Sequence, residues 1–275
     1  MGEKKHQELT LSEITAFLNG IENDENIKHI SFSGGEIIWH SQREKVYKLV
    51  AYANQKGKMT SIITNAYWGE NAAEAKKIIQ TLKSVGLNAL VISYDTFHQE
   101  FVPVQSVATV YNLCREFDIM IEIQSVVLRG QQIVKDIDLL NRLTGGIRVG
   151  INACYPVGKA IENYEENDFI RIQEPIGLYC RKSGSFSVDY DGSIWPCCSP
   201  FVTVTQLCVG NIREGINYRI ALERLKNNDI LKNIRRHGFD YLKKMAIQNN
   251  ILIPNKIISS CEICALFFEN KTNKI

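Results

Sequence analysis

The chain has 275 residues, 45% of them hydrophobic and 23% charged, with a formal net charge of +2. That length supports a sizeable core in one large domain or two, and a charge so close to balance argues against nucleic acid as a partner. No apolar run reaches the roughly 18 residues of a membrane span, and the start, MGEKKHQELT, lacks the apolar core of a signal peptide, so a cytoplasmic protein without membrane association is expected.

Taken in chain order, Thr10 caps a helix that runs from Leu11 through Leu18. HISFSGG (29–35) reads as a strand ending in glycines, and residues 42–56 have helical periodicity. MTSIITNA (59–66) is a strand, and residues 73–86 form a helix closed by Gly86. ALVISYD (89–95) is a strand, 104–117 a helix, 119–127 a strand, 134–143 a helix and 147–155 a strand. Strands built as nearly continuous apolar runs, each followed by a helix, predict an α/β domain with a parallel sheet buried on both faces. In such domains the functional loops follow the C-terminal ends of the strands. Here those ends carry Gly34-Gly35-Glu36, Thr64-Asn65, Ser93 with Asp95, and Gln124.

The character changes after Ala160. Residues 161–169 are an acidic connector, and residues 185–198 read as a hairpin turning at Asp191-Gly192. Residues 217–250 form one or two helices interrupted near Gly238, and the tail after Phe268 is polar. The basic pairs Lys4-Lys5, Arg235-Arg236 and Lys243-Lys244 are short and suit solvated helix faces. The expected division is 1–160 and 161–275.

Eight cysteines in a reducing compartment are ligands, catalysts or core residues rather than disulfides. Cys114, in a helical stretch, and Cys154, at the end of an apolar strand, fit a packing role. Cys180 is followed by eleven residues, Gly192, four residues and Cys197, and Cys261 and Cys264 form a C-x-x-C pair much later. Four thiolates from distant segments can hold an iron–sulfur cluster or a zinc ion. Zinc ribbons usually use two C-x-x-C knuckles, whereas this chain has one.

The segments SFSGGE, ITNAYWG, VISYDTFHQEFVP and YPVGKA, in this order, resemble the radical SAM superfamily. The resemblance implies a partial (β/α)6 barrel lacking its first strand, followed by a small domain of β-hairpin and helices. The cysteine spacing, the hairpin and CVGNI (208–212) resemble that superfamily's twitch or SPASM auxiliary-cluster domains. No cysteine follows Cys264, so the single-cluster twitch version fits better. It implies that Cys180, Cys197, Cys261 and Cys264 ligate one [4Fe–4S] cluster. It also implies that Gly34, Gly35 and Glu36 bind the amino group of S-adenosylmethionine, with Ser93, Asp95 and Gln124 on the same site. Asp95 and His98 would shape its substrate side, unless His98 is simply an exposed loop residue, and Tyr67 and Trp68 would either line a peptide site or pack in the core.

SYDTFHQEFV, WPCCSP, HGFDYLKK and CEICALFF, spread from about Leu9 to Phe268, are similar to the YydG-type radical SAM peptide epimerases. The similarity implies conversion of L-residues, typically Val or Ile, to D-residues in a ribosomally made precursor peptide, with an external electron donor. Cys198, the second of the adjacent pair, would be the hydrogen donor. A different peptide maturase, forming thioether or carbon–carbon crosslinks, and a peptide-binding homologue without catalysis are the other readings. One departure stands out: no C-x-x-x-C-x-x-C run, the superfamily's radical-generating motif, occurs in these 275 residues. The chain as written is therefore expected to be inactive. A start lying upstream, a deliberately shortened chain and a cluster-free homologue are the competing explanations.

Overall fold

Helical and strand periodicities alternate along the first 155 residues, and the elements they form follow that alternation. The computed structural model describes residues 8–131, 134–180 and 185–268. The Lys4-Lys5 pair and the tail beyond Phe268 lie outside the described residues. Helix α1 (Leu11–Phe17) comes first. A capping box fixes its start: the Thr10 hydroxyl accepts from the Glu13 N–H at 3.2 Å, and the Glu13 carboxylate accepts from the Thr10 N–H at 2.7 Å.

There follow β1 (His29–Phe32), α2 (Arg43–Gln55), β2 (Met59–Thr64), α3 (Ala72–Ser84) and β3 (Ala89–Ser93). The short helix α4 (Thr96–Gln99), α5 (Val104–Glu116), β4 (Met120–Val127), α6 (Val134–Thr144) and β5 (Val149–Ala153) complete this part. The five strands form one parallel sheet in the order β1-β2-β3-β4-β5, so neighbours in sequence are neighbours in space. In register, Ile62 pairs with Leu90, Leu90 with Ile121, and Ile92 with Ile123. The expected partial barrel of five strands and flanking helices is what forms, and the described strands leave it open.

Parallel crossovers have one hand, so strands added in a single direction put all the connecting helices on one face. That face holds the core. Ile62, Leu90, Ile92 and Ile123 pack there against Val46 and Val50 of α2, Ile78, Ile79 and Leu82 of α3, Val107, Val110 and Cys114 of α5, and Leu140 of α6. The opposite face presents Ser31, Ser61, Val91, Ser93, Glu122 and Gln124, with the Ser61 hydroxyl donating to Ser31 Oγ at 2.9 Å. The expectation of a sheet buried on both faces is thus corrected. The strand β3 alternates half-buried and buried positions along its length, and Met59 and Met120, on the uncovered face, are 50% and 63% exposed.

The chain packs as two units: residues 19–152, and the residues from 153 onward together with α1. The first helix, expected in the β/α part, belongs with the C-terminal unit. There Glu13 pairs with Arg213 at 2.7 Å, and the Phe17 and Phe186 rings meet edge-on at 5.8 Å.

The C-terminal unit begins with α7 (Lys159–Asn163), a short helix where a plain connector was expected. The predicted hairpin is present as β6 (Ser187–Val188) and β7 (Ser193–Trp195), and β8 (Gly210–Asn211) adds a third antiparallel strand. Gly192 turns the hairpin with φ 87°, and a Cβ there would lie 2.6 Å from Asn211 Oδ1. Only glycine meets both requirements. Residues 217–250 form three helices rather than one or two: α8 (Tyr218–Asn227), α9 (Asp229–His237) and α10 (Asp240–Gln248). Asn228 makes the extra break because its side chain caps α9, accepting from the Leu231 N–H at 3.0 Å. Helix α11 (Ser260–Phe268) carries the C-x-x-C pair and was not expected. Among the described residues no helix is long and apolar enough to cross a membrane.

Candidate functional site

In the β/α unit, the polar residues singled out from the sequence lie just beyond or near the C-terminal ends of the strands. After β1 the backbone turns through Gly34 (φ 123°) and Gly35 (φ 50°), conformations that residues with a Cβ rarely adopt. Among the described residues nothing lies within 4 Å of where either Cβ would be, so these glycines answer to backbone geometry.

Glu36 ties this turn to the next strand. Its Oε1 accepts from the Ile38 N–H at 2.9 Å and from the Thr64 hydroxyl at 2.8 Å, and its Oε2 accepts from the Asn65 N–H at 2.7 Å. Thr64 Oγ1 in turn accepts from the Ala66 N–H at 3.1 Å and the Trp68 indole at 3.0 Å. A carboxylate offers about four acceptor positions. Three are taken, which leaves room for one further donor. Ala66 is held at φ 62°, the left-handed region, at this junction. Trp68 is buried in the core, while Tyr67 packs beside the exposed ring of Trp39 at 5.1 Å.

Ser93 and Gln124 are register partners on the uncovered face. The Gln124 side chain donates to Glu122 Oε1 at 2.9 Å and accepts from Asn152 Nδ2 at 2.8 Å. It lies over Gly150, where a Cβ would come within 2.5 Å of its amide. Asp95 is 2% exposed. Its Oδ1 accepts from the Phe97 and His98 N–H groups at 3.0 and 3.2 Å and faces His98 Nδ1 at 2.7 Å, while Oδ2 accepts from the Val126 N–H at 3.2 Å. So engaged, Asp95 acts on its surroundings through the ring it orients, that of His98.

In the C-terminal unit, Cys180, Cys197 and Cys264 pack on one apolar cluster that includes Val202, Leu242, Ile257 and Ile263. Cys261 and Cys264 stand three apart at the start of α11 and share a helix face. The Cys264 thiol is pushed up by burial, and further by the negative charge that Cys197, Cys261 and Cys180 would carry near it. The Cys197 thiol is pushed up to about 11, first by burial, against the Ser199 N–H that donates to its sulfur. The four thiols therefore lie near enough to act on one another. Among the described residues no three His, Cys, Asp or Glu side chains close together as ligands of a single ion. Cys198 is exposed, unlike the other four.

The start of α11 is held by charge. Glu262, 5% exposed, accepts from Arg171 Nε at 2.9 Å and from the Ile258 N–H at 2.8 Å, and Arg171 also pairs with Glu166 at 2.6 Å. Neither Arg171 nor Glu262 was singled out from the sequence. The S-x-x-E spacing of Ser259 and Glu262 is the signal that marks this helix start. Cys114 is fully buried in the β/α core, where desolvation pushes its thiol up to about 12, and Cys154 is buried at the end of β5.

The structure thus offers an open five-stranded β/α unit and a second unit in which Cys180, Cys197 and Cys264 pack on one apolar cluster. No family model matches the chain. It is similar to "Putative peptide biosynthesis protein YydG" of Bacillus subtilis (strain 168), with 26% identity over 262 residues, which cover 92% of this chain and 80% of that protein. That similarity runs along nearly the whole chain.

Proposed function

We propose that this chain is a peptide-modifying enzyme of the radical SAM kind, which epimerises L-residues of a ribosomally made precursor peptide. The observation that carries the reading is that Cys180, Cys197 and Cys264 pack, half-buried, on one apolar cluster, with Cys261 near enough to act on Cys197 and Cys264, while Cys198 is exposed. The likeness to a peptide biosynthesis protein supports a peptide substrate.

The donor set suits a [4Fe–4S] centre: four thiols, three of them packed on apolar side chains. For S-adenosylmethionine, the carbonyls of Gly34 and Gly35 and the last acceptor position of Glu36 suit an ammonium group. Ser93 and Gln124 line the uncovered sheet face, and Asp95 holds His98. When bound, S-adenosylmethionine and a reduced radical-generating iron–sulfur centre, distinct from the one assigned to these four cysteines, would supply the carbon radical that removes an α-hydrogen.

The chain's own residues do the rest. Glu36 and Thr64 fix the loops after β1 and β2, so a ligand there meets preset groups. Cys198 gives a hydrogen atom to the planar α-carbon from the opposite face. Its S–H bond breaks homolytically, a C–H bond forms, and one electron and one proton from an external donor restore the thiol. Cys198 is exposed, where a peptide substrate could reach its thiol.

Processing of the precursor peptide in deuterated water, by the chain supplied with an upstream C-x-x-x-C-x-x-C segment, tests this. Epimerisation adds one mass unit per modified residue, and Cys198→Ala abolishes the label while leaving the iron content unchanged. A peptide lighter by two hydrogens would mean crosslinking instead, and label persisting in Cys198→Ala would remove the thiol-donor role.

A further inference from the structure

Four buried side-chain polar atoms lack a hydrogen-bond partner among the described residues, and two of them flank Cys197: Trp195 Nε1 and Ser199 Oγ. The other two, Thr96 Oγ1 and Ser106 Oγ, belong to the β/α unit. Buried donors nearly always find an acceptor, because leaving one unmade forfeits its bond to water. An indole N–H can only donate, so Trp195 requires an acceptor nearby.

Ser199 is unusual in a second way. It sits at the N-cap of the 3-10 turn Pro200–Val204, where a serine hydroxyl ordinarily accepts from a backbone N–H of the first turn, yet its side chain makes no capping bond. Its own backbone N–H donates to the Cys197 sulfur, so the residue already faces that thiol. Ser199 is 4% exposed. Trp195 packs on the same apolar cluster as Cys180, Cys197 and Cys264.

We propose that Ser199 Oγ–H and Trp195 Nε1–H donate hydrogen bonds to sulfur atoms of the iron–sulfur centre assigned to Cys180, Cys197, Cys261 and Cys264, and so raise its reduction potential. The inference rests on the cluster reading given under Proposed function. Sulfur gains negative charge on reduction, and a donor aimed at it stabilises the reduced form more than the oxidised one. Both residues are positioning residues: they touch no substrate and act through the centre's electron affinity.

The test uses the full chain, loaded with iron and sulfide without oxygen, and a potentiometric titration followed by electron paramagnetic resonance. Ser199→Ala and Trp195→Phe are each expected to lower the reduced-to-oxidised ratio at a fixed potential by roughly tenfold, a shift of ~59 mV for one electron. Ser199→Thr, which keeps the hydroxyl, is expected to titrate like the parent. Deuterium exchange should shift the iron–sulfur resonance Raman bands of the parent and do so less in each variant. Parent-like potentials in both variants, at parent iron and sulfide content, would overturn the inference and leave the cluster reading standing. A parent chain that takes up no iron and sulfide would overturn the cluster reading itself, and this inference with it. Should Ser199→Ala fail to hold the centre, Trp195→Phe and Ser199→Thr decide in the same titration.

Discussion

Glu36 and Thr64 are joined by a 2.8 Å hydrogen bond that links the loop after β1 to the end of β2. The bond makes Glu36 a strut of the rim as much as a charge offered to a ligand.

Removing that strut is expected to cost stability. Glu36→Ala strips acceptors from the Ile38 and Asn65 N–H groups and from the Thr64 hydroxyl. The expected loss is about 1–3 kcal/mol, the usual penalty for buried donors left unmade. Urea unfolding measures it, and an unchanged midpoint and slope would show that the rim does not depend on this carboxylate.

The Arg171–Glu262 pair makes a sharper demand. Glu262 is almost fully buried, so Arg171→Ala leaves its charge with the Ile258 N–H as its one donor among the described residues. Breaking one side of a buried pair costs about 3 kcal/mol or more. Because Cys261 and Cys264 begin the helix that Glu262 anchors, their alkylation should speed up in this variant. Parent rates would separate the ion pair from the cysteine site.

Thiol reactivity should rank by environment. In the metal-free chain the exposed Cys198 and Cys208 should react first with iodoacetamide. Cys197, pushed up to about 11, and Cys264, pushed higher by burial, should react slowly, and Cys114, at about 12, last of all. Peptide mapping over a time course reads the order. Labelling of Cys114 as fast as Cys208 would contradict the packing described for α5.

Much of this was legible in the sequence, and the gaps have physical causes. The order of helices and strands to residue 155 followed from periodicity. The face left uncovered did not, because ALVIS in β3 is nearly all apolar and hides its alternation. The strand β8 has two residues, too few to show a period. Helix α11 is apolar on almost every side, so its CALFF run gave no helical stripe, although Ser259 and Glu262 spelled out its start. The hairpin at Asp191-Gly192 was legible because only glycine suits that turn. Cys180, Cys197, Cys261 and Cys264 stood out in the sequence by spacing and residue type, and their joint role as ligands is the proposal made above. Arg171 and the unpartnered hydroxyl of Ser199 were not, since their roles arise from burial and from neighbours distant in sequence.

Acid should loosen the first helix at an unusually low pH. The Thr10 N–H, then the Arg213 guanidinium, hold the Glu13 carboxyl at about 2, below its ordinary 4.5. A depressed carboxyl contributes stability that is present above its unfolded value and is lost as pH falls through its folded value. The capping box and the Arg213 pair should therefore persist below pH 4.5 and fail near pH 2. The Thr10 amide shift, followed by NMR, reports this directly, and a midpoint near 4.5 would mean that Glu13 makes neither contact in solution.

The central claim is that four cysteines from separate segments build one iron–sulfur centre. Iron, acid-labile sulfide and zinc content of the chain, purified without oxygen, tests it most directly. About four irons and four sulfides per chain are predicted, falling sharply in Cys197→Ala and Cys264→Ala and persisting in Cys198→Ala. One zinc without sulfide, or no metal in a folded chain, would contradict the account.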